Sequence, residues 1–279
     1  MSRLIVRVLV DRVVSALIVL CVMVAAVPIL VLFIFVIVKG LPGMLEPGFF
    51  TDVPHPVGFP GGGVFNAIVG TLIIVGIASL AAVPFGTLVG IFLSEFGRNR
   101  VGDTVRFISD VLTGLPSIAF GIFGYTILVL TTKHFSAIAA SAALGVLMLP
   151  VIIRATENAL ILIPNALREA GLALGAPRWR VTMEIVVPAA LAGIVTGALL
   201  AMARAAGETA PLLFTTLGND LLQLNPGRQM GALALTVYHN ALTPYAKLQD
   251  QAWAAALLLV IMVSVTSIVA RLYVRRIQS

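Results

Sequence analysis

Two charged residues, Arg204 and Glu208, interrupt an apolar stretch long enough to cross a bilayer. A charge at the bilayer centre costs about 2.5–3.5 kcal/mol on insertion scales, so neither is retained against lipid without a reason. Four residues apart on a helix, they share one face and can pair. Arg204 follows Pro188 by sixteen residues, roughly 24 Å of helix, which places the pair past the middle of a span that begins near that proline. A guanidinium offers a planar fork of donors that matches the oxygens of a tetrahedral oxyanion. An anion crossing a low-dielectric path needs such a cation. Glu208 then holds Arg204 while the path is empty and competes for it during release. It can also accept a hydrogen bond from an oxyanion that keeps a proton at neutral pH, and repel one that is fully ionised. Thr209 adds a hydroxyl, although threonine in a span commonly bonds its own helix backbone. The same charges also fit a purely structural ion pair, or a contact with another membrane chain; the translocation reading is favoured. Lesser polar candidates are Ser117, behind a break at Pro116, and Asn66 and Thr71 at the mouth of a neighbouring span.

A second constellation lies in the polar segment from Arg154 to Pro188. Pro164 suits the first turn of a helix, and Asn165–Leu174 is rich in helix formers. Gly175 stands where a left-handed residue ends a helix, and Pro177 opens a second helix running towards Pro188. Helix, glycine turn and helix make a rigid knob able to push on a partner. The chain holds no motor for such a push: there is no G-x-x-x-x-G-K-[S/T] phosphate cradle. No nucleophile–base–orienter constellation and no metal-ligand spacing appear either. Cys21 is the sole cysteine, and His55, His134 and His239 are far apart. Neither catalysis nor a bound metal is expected.

Composition sets the elements that must position these residues. Of 279 residues, 59% are hydrophobic and only 11% charged, with a mean hydropathy of +1.07. Soluble domains carry about 25% charged residues, so an ordinary soluble globule, a disordered tail and a disulfide-built domain are excluded. The net charge of +6 does not mark a nucleic-acid binder, because the basic residues fall between apolar runs as topology signals do. Six runs reach the length a spanning helix needs: Val13–Val38, Ala67–Leu93, Val111–Leu130, Ser136–Ile153, Ala189–Leu213 and Ala252–Leu272. The first is too long for the apolar core of a signal peptide and reads as a retained helix. With the N-terminus inside, thirteen Lys and Arg residues face the cytoplasm and four (Lys39, Lys133, Arg228 and Lys247) face outward. This asymmetry predicts an all-α, polytopic, multi-pass membrane protein with both termini cytoplasmic. Pro28 and Pro84 read as kinks. Gly40–Asn66, with Pro54, Pro56, Pro60 and Gly61–Gly63, reads as a structured outer loop. Gly218–Gln251 holds a turn at Asn225–Gly227 and then a short surface helix within Gln229–Ala241. The expected division is 1–65, the first span and outer loop, and 66–279, a core of five spans with the loop 154–188.

That loop resembles the coupling loop of bacterial ABC importer membrane subunits, E-A-A, three residues, G, nine residues, I, one residue, L-P. Glu169, Ala170, Gly171, Gly175, Ile185 and Pro188 match its spacing, with Gly171 replacing the second Ala and Val187 replacing Leu. Within that family the chain is similar to the phosphate-specific permease subunits of the PstA type. The likeness is carried by Gly62–Gly63 with Asn66–Thr71, Gly114–Ile118, Arg154–Glu157 and Arg204–Thr215, and covers roughly residues 60 to 275. The resemblance implies a type I ABC importer permease fold in the bacterial inner membrane, importing phosphate by alternating access. It implies four kinds of partner: membrane lipid, a second permease subunit (PstC-like), an ATP-binding dimer (PstB-like) and an extracytoplasmic phosphate-binding protein (PstS-like). No cofactor is expected on this chain, since ATP and Mg would sit on the partner ATPase. Importers of molybdate, sulfate or phosphonate, an ATP-independent carrier, and a membrane anchor that recruits an ATPase are the alternative readings.

Overall fold

The computed structural model describes residues 2–278 except Val57 and Pro60, and omits the side chains of residues 2–6, 8, 9 and 273–278. Pro60 and the side chains of Arg3, Arg275 and Arg276, used above, therefore lie outside the described residues.

All regular structure among the described residues is helical. Helix α1 covers Ser2–Met44, α2 Phe65–Glu95, α3 Arg100–Gly114, and α4 begins at Ser117 and runs through a widened turn at Tyr125–Val129 to Thr132. Helix α5 covers Ala137–Ile161, α6 Asn165–Ala173, α7 Arg178–Gly207 with a widened turn at Thr182–Val186, α8 Ala210–Thr215, α9 Leu233–Ala241 and α10 Ala246–Gln278. Five helices are long and apolar enough to cross a membrane, and six spans result when the bent pair α3–α4 counts as one.

The centre is the pair α2 and α5. Small residues let them approach: Gly86 faces Ile152 and Gly90 faces Thr156, as interfaces inside lipid require. Ser141 on α5 donates to the carbonyl of Ile74 on α2 at 3.0 Å. Helix α7 runs antiparallel to α5, with Gly193 against Ala159 and Gly197 against Ala155. Buried Ile74, Leu144, Met148, Ile152, Ala201 and Leu212 fill the space between them. Helix α1 is peripheral. No residue from Asp11 to Phe35 is buried, and Gly40 and Gly43 seat its last turns on Trp253, Ala254 and Asp250 of α10. Helices α1 and α2 continue through Pro28 and Pro84.

Four sequence expectations are corrected. The run Val111–Leu130 is not one straight span: α3 and α4 meet at 103°. Leu115 is extended, with ψ 139°, because the residue before a proline is pushed out of the helical region. Helix α3 carries Val101, Phe107, Ile108 and Val111 exposed, while Arg106 and Asp110 bond to α5. The fourth span runs on to Ile161, so Arg154 and Glu157 belong to its last turns rather than to a loop. The second loop helix is the beginning of α7 itself, which continues through Pro188. That proline has no N–H for Glu184, and the preceding turn widens until the Val187 N–H reaches the carbonyl of Thr182. Finally, α9 is a surface helix only in its second half, where Tyr238, His239 and Ala241 are exposed. Leu233, Ala234 and Leu235 are buried, because Met230–Ala232 turns back into the core against Gly70 and Ala67.

Candidate functional site

The fifth span ends abruptly where its charges are. Helix α7 stops at Gly207, and Glu208 is extended, with φ −76° and ψ 125°. Thr209 follows, and Pro211 lies in the first turn of α8. The expectation that Arg204 and Glu208 share a helix face is therefore corrected: Glu208 has left the helix, and its carboxylate swings back to meet Arg204 Nε at 3.3 Å. Helix α7 itself starts at Arg178, and the register that sets Gly193 on Ala159 and Gly197 on Ala155, continued to residue 204, brings Arg204 level with Met148 of α5.

The pair is loosely made. Glu208 is the one hydrogen-bond or ion-pair partner of Arg204 among the described residues, and it takes only Nε. Both terminal guanidinium nitrogens remain available. The side chain of Arg204 is 45% exposed and that of Glu208 17%. Arg204 belongs to an uncovered stripe of α7 with Thr196, Leu200 and Gly207, opposite the buried Ala198, Ala201 and Ala205. Thr209 is half-buried, and its hydroxyl has no partner among the described residues.

The other broken span reaches the same level. Gly121 of α4 lies against Ala210 and Pro211, and Gly124 lies against Ala143 and Thr215. Helices α4 and α8 thus rise side by side. One turn back along α4, Ser117 comes level with the end of α7. Non-helical backbone at membrane depth persists only where protein or water covers it, and the two breaks lie at one level. Asn66 and Thr71 are scaffold. Asn66 Nδ2 donates to the carbonyl of Asn219 at 2.6 Å, and the Thr71 hydroxyl accepts the Leu233 N–H at 2.9 Å.

The arginine-rich end carries the second constellation. Helix α6 closes on Gly175, whose φ of +81° favours glycine. The Gly175 N–H bonds the carbonyl of Leu172 at 2.9 Å and the Ala176 N–H that of Gly171 at 3.4 Å, the paired bonds of a glycine-terminated helix. Gly171 is buried where a Cβ would stand 2.8 Å from Ile185 Cδ1 and 3.0 Å from Val181 Cγ2. The glycine replaces alanine here because α6 lies directly on α7. Glu169, Ala170, Gly175 and Pro188 are exposed and Ile185 is half-buried. Trp179 is exposed beneath Arg180, whose guanidinium carbon is 5.5 Å from the ring centre.

Two ion networks fix this end, and only one contact in them is signalled by local spacing. Arg168 forks onto Glu95 of α2, with Nη2–Oε1 at 2.7 Å, and donates to the carbonyls of Ile163 at 2.6 Å and Leu160 at 2.9 Å. Glu157, 4% exposed, sits between Arg106 at 2.6 Å and Arg154 at 2.9 Å. Arg154 continues to Asp110, so α3 is clamped to α5. The signal in the sequence was the Arg154–Glu157 pair at helical spacing; its partner Arg106 lies 51 residues away.

Residues 82–279 match the family described as the binding-protein-dependent transport system inner membrane component. The phosphate transport system permease protein PstA of Yersinia pestis is 43% identical over 236 residues, 84% of this chain and 80% of that protein. PstA of Haemophilus influenzae is 42% identical over 238 residues, 85% of this chain and 84% of its own. Among solved structures, an inward-facing MetNI methionine ABC transporter superposes with a TM-score of 0.64 at 22% identity, covering 76% of this chain and 95% of that one, a likeness of fold. Identity at this level over this length means that the chain belongs to the inner membrane components of binding-protein-dependent transport systems, alongside the PstA permeases.

Proposed function

We propose that the chain is the permease subunit of an ATP-driven importer of inorganic phosphate in the bacterial inner membrane, with both termini in the cytoplasm. The observation that carries the substrate is the half-engaged guanidinium of Arg204: a cation on an uncovered face near the end of an apolar helix, with two free donor nitrogens suited to a phosphate fork. The names of the relatives support the same substrate. The uncovered stripe on α7 faces a second permease chain, and the ion passes between the two. Glu208 holds Arg204 when the path is empty. It yields to the incoming ion, then reclaims the arginine as the ion leaves. Thr209 donates its hydroxyl to the passing oxyanion.

Helix α6 is the lever. ATP and its Mg are bound and hydrolysed on a separate ATPase dimer, which grips the exposed side of α6 around Glu169 and Ala170 and the exposed Trp179 at the start of α7. Closure of that dimer pushes α6. Gly171 transmits the push to α7 through Val181 and Ile185, and Arg168 transmits it to α2 through Glu95. The spans then open to the outside, where an extracytoplasmic binding protein delivers the ion. The decisive test is uptake of radiolabelled phosphate by the reconstituted complex. Arg204→Ala lowers uptake at least tenfold while leaving assembly with the ATPase intact, and Arg204→Lys restores part of it. Wild-type uptake by a correctly assembled Arg204→Ala complex refutes the translocation role.

A further inference from the structure

At the end of the bundle opposite the arginine-rich end, a broad cavity of about 730 Å³ is lined by Lys133, His134, Asn219, Gln223, Arg228 and Gln229 among others, with no carboxylate on its walls. Asp220, the acid adjacent in sequence, does not line it. Its cations come from two separate segments, the turn after α4 and the loop after α8. The backbone ties these segments together. The Ala137 N–H bonds the carbonyl of Arg228 at 2.9 Å, the Ile138 N–H that of Pro226 at 3.0 Å, and the Ser136 N–H that of Thr215 at 3.0 Å. Lys133 is held in a left-handed conformation, φ 58°, which is uncommon for a residue with a side chain. Neither Lys133 nor Arg228 forms an ion pair among the described residues.

We propose that this basin receives the oxyanion released by the binding protein and guides it to Arg204; the proposal rests on the phosphate-permease reading and adds the entry site to it. Unpaired cations on the walls of a concavity focus the field and raise the local concentration of an anion. The basin is far wider than one tetrahedral oxyanion, so it attracts the ion without holding it, as a relay must. Phe135 lines the basin, and the N–H of the next residue, Ser136, bonds Thr215, the last residue of α8. The other end of that helix, about 9 Å away at 1.5 Å per residue, is the Glu208–Thr209 break. A docking surface for acidic side chains of the binding protein would use the same charges; what favours the ion is that these charges stand one short helix, α8, from the broken span.

The experiment uses the complete complex in proteoliposomes with phosphate-loaded binding protein. It measures the ATPase rate against binding-protein concentration and the radiolabelled phosphate imported per ATP. The double variant Lys133→Gln/Arg228→Gln keeps the half-saturating concentration of binding protein but delivers at least fivefold less phosphate per ATP, because released ions escape outward. The deficit shrinks at high salt, where the field is screened, and Lys133→Arg/Arg228→Lys restores delivery. A raised half-saturating concentration with unchanged phosphate per ATP assigns these cations to protein docking and overturns the proposal, as does no change in either quantity. A wild-type complex that imports no phosphate refutes the underlying reading instead.

Discussion

Uncoupling the lever from α2 tests the proposed transmission most directly. Arg168 makes a fork to Glu95, with Nη2 at 2.7 Å from Oε1 and Nε at 3.2 Å from each oxygen, and donates to two backbone carbonyls. The two side chains are 19% and 11% exposed, so solvent screening reduces the interaction only modestly. Hydrogen bonds to charged groups contribute about 1.5–3 kcal/mol each net, and stranding one partner of a buried pair costs about 3–5 kcal/mol. A loss of about 3 kcal/mol shifts the balance between docked and undocked α6 roughly 150-fold, since each 1.4 kcal/mol is tenfold. Arg168→Met keeps the apolar stem and removes the fork. The reconstituted variant continues to hydrolyse ATP but imports at least tenfold less phosphate per ATP. Glu95→Leu behaves alike, because it strands Arg168. The double variant recovers part of the coupling, since an apolar pair of similar size replaces a matched ion pair with little penalty. Phosphate imported per ATP is the assay, with co-purification of the ATPase as the control for assembly. Wild-type phosphate per ATP in Arg168→Met, or simple addition of the two single effects in the double variant, refutes the transmission through α2.

Three further outcomes follow from the same geometry. Glu208→Gln keeps phosphate binding but lowers discrimination against fully ionised sulfate at least tenfold, about 1.4 kcal/mol. This is read as sulfate competition for phosphate retained by the complex without its binding protein, and unchanged discrimination eliminates the proton-acceptor role. Gly171→Leu forces a side chain between α6 and the residues Val181 and Ile185; overpacking of about 1–3 kcal/mol lifts α6 and speeds tryptic cleavage at Arg178 and Arg180, whereas Ala170→Leu, on the exposed side, leaves cleavage unchanged. Glu157→Ala strands Arg106 and Arg154 at a cost of about 3–5 kcal/mol, and lowers the thermal unfolding midpoint of the detergent-purified chain by several degrees; an unchanged midpoint contradicts the clamp between α3 and α5.

Hydropathy reveals where the chain is apolar, not where its helices begin and end. It located α1, α2, α5, α7 and α10 because each carries a run of bilayer length. It missed the extension of α5 to Ile161 and the early start of α7 at Arg178, since those turns project beyond the apolar belt and are polar. The bend at Pro116 lay hidden in continuous apolarity. The pattern that gives it away is the alternation of Arg100, Asp103, Arg106 and Asp110 with Val101, Phe107, Ile108 and Val111, an amphipathic helix that a straight span does not need. Gly175 was legible because a left-handed turn selects a residue type. The pairs Arg168–Glu95 and Arg106–Glu157 were not, because 73 and 51 residues separate their members and spacing rules reach only one or two helical turns. Arg204 and Glu208 pair as their spacing suggests, yet by a different route, because nothing in the sequence alone announces that the helix ends at Gly207.

The coincidence of the two breaks bears on what Arg204 is for. Each helix end leaves up to four backbone donors or acceptors without intrahelical partners, and in a hydrocarbon environment each costs several kcal/mol. An ion pair that serves only structure needs no such ends, since Arg and Glu four apart neutralise each other on an unbroken helix. Here α7 stops at Gly207 and α4 starts at Ser117, at one depth and side by side with α8 between them. The shared level allows a single wet or protein-lined volume to satisfy both sets of backbone groups. The same level carries a half-engaged guanidinium, the free hydroxyl of Thr209 and the carboxylate of Glu208. The cost of breaking two spans within the membrane is offset if that level is used, and under the proposed function its use is the passage of an oxyanion, which the donors there fit.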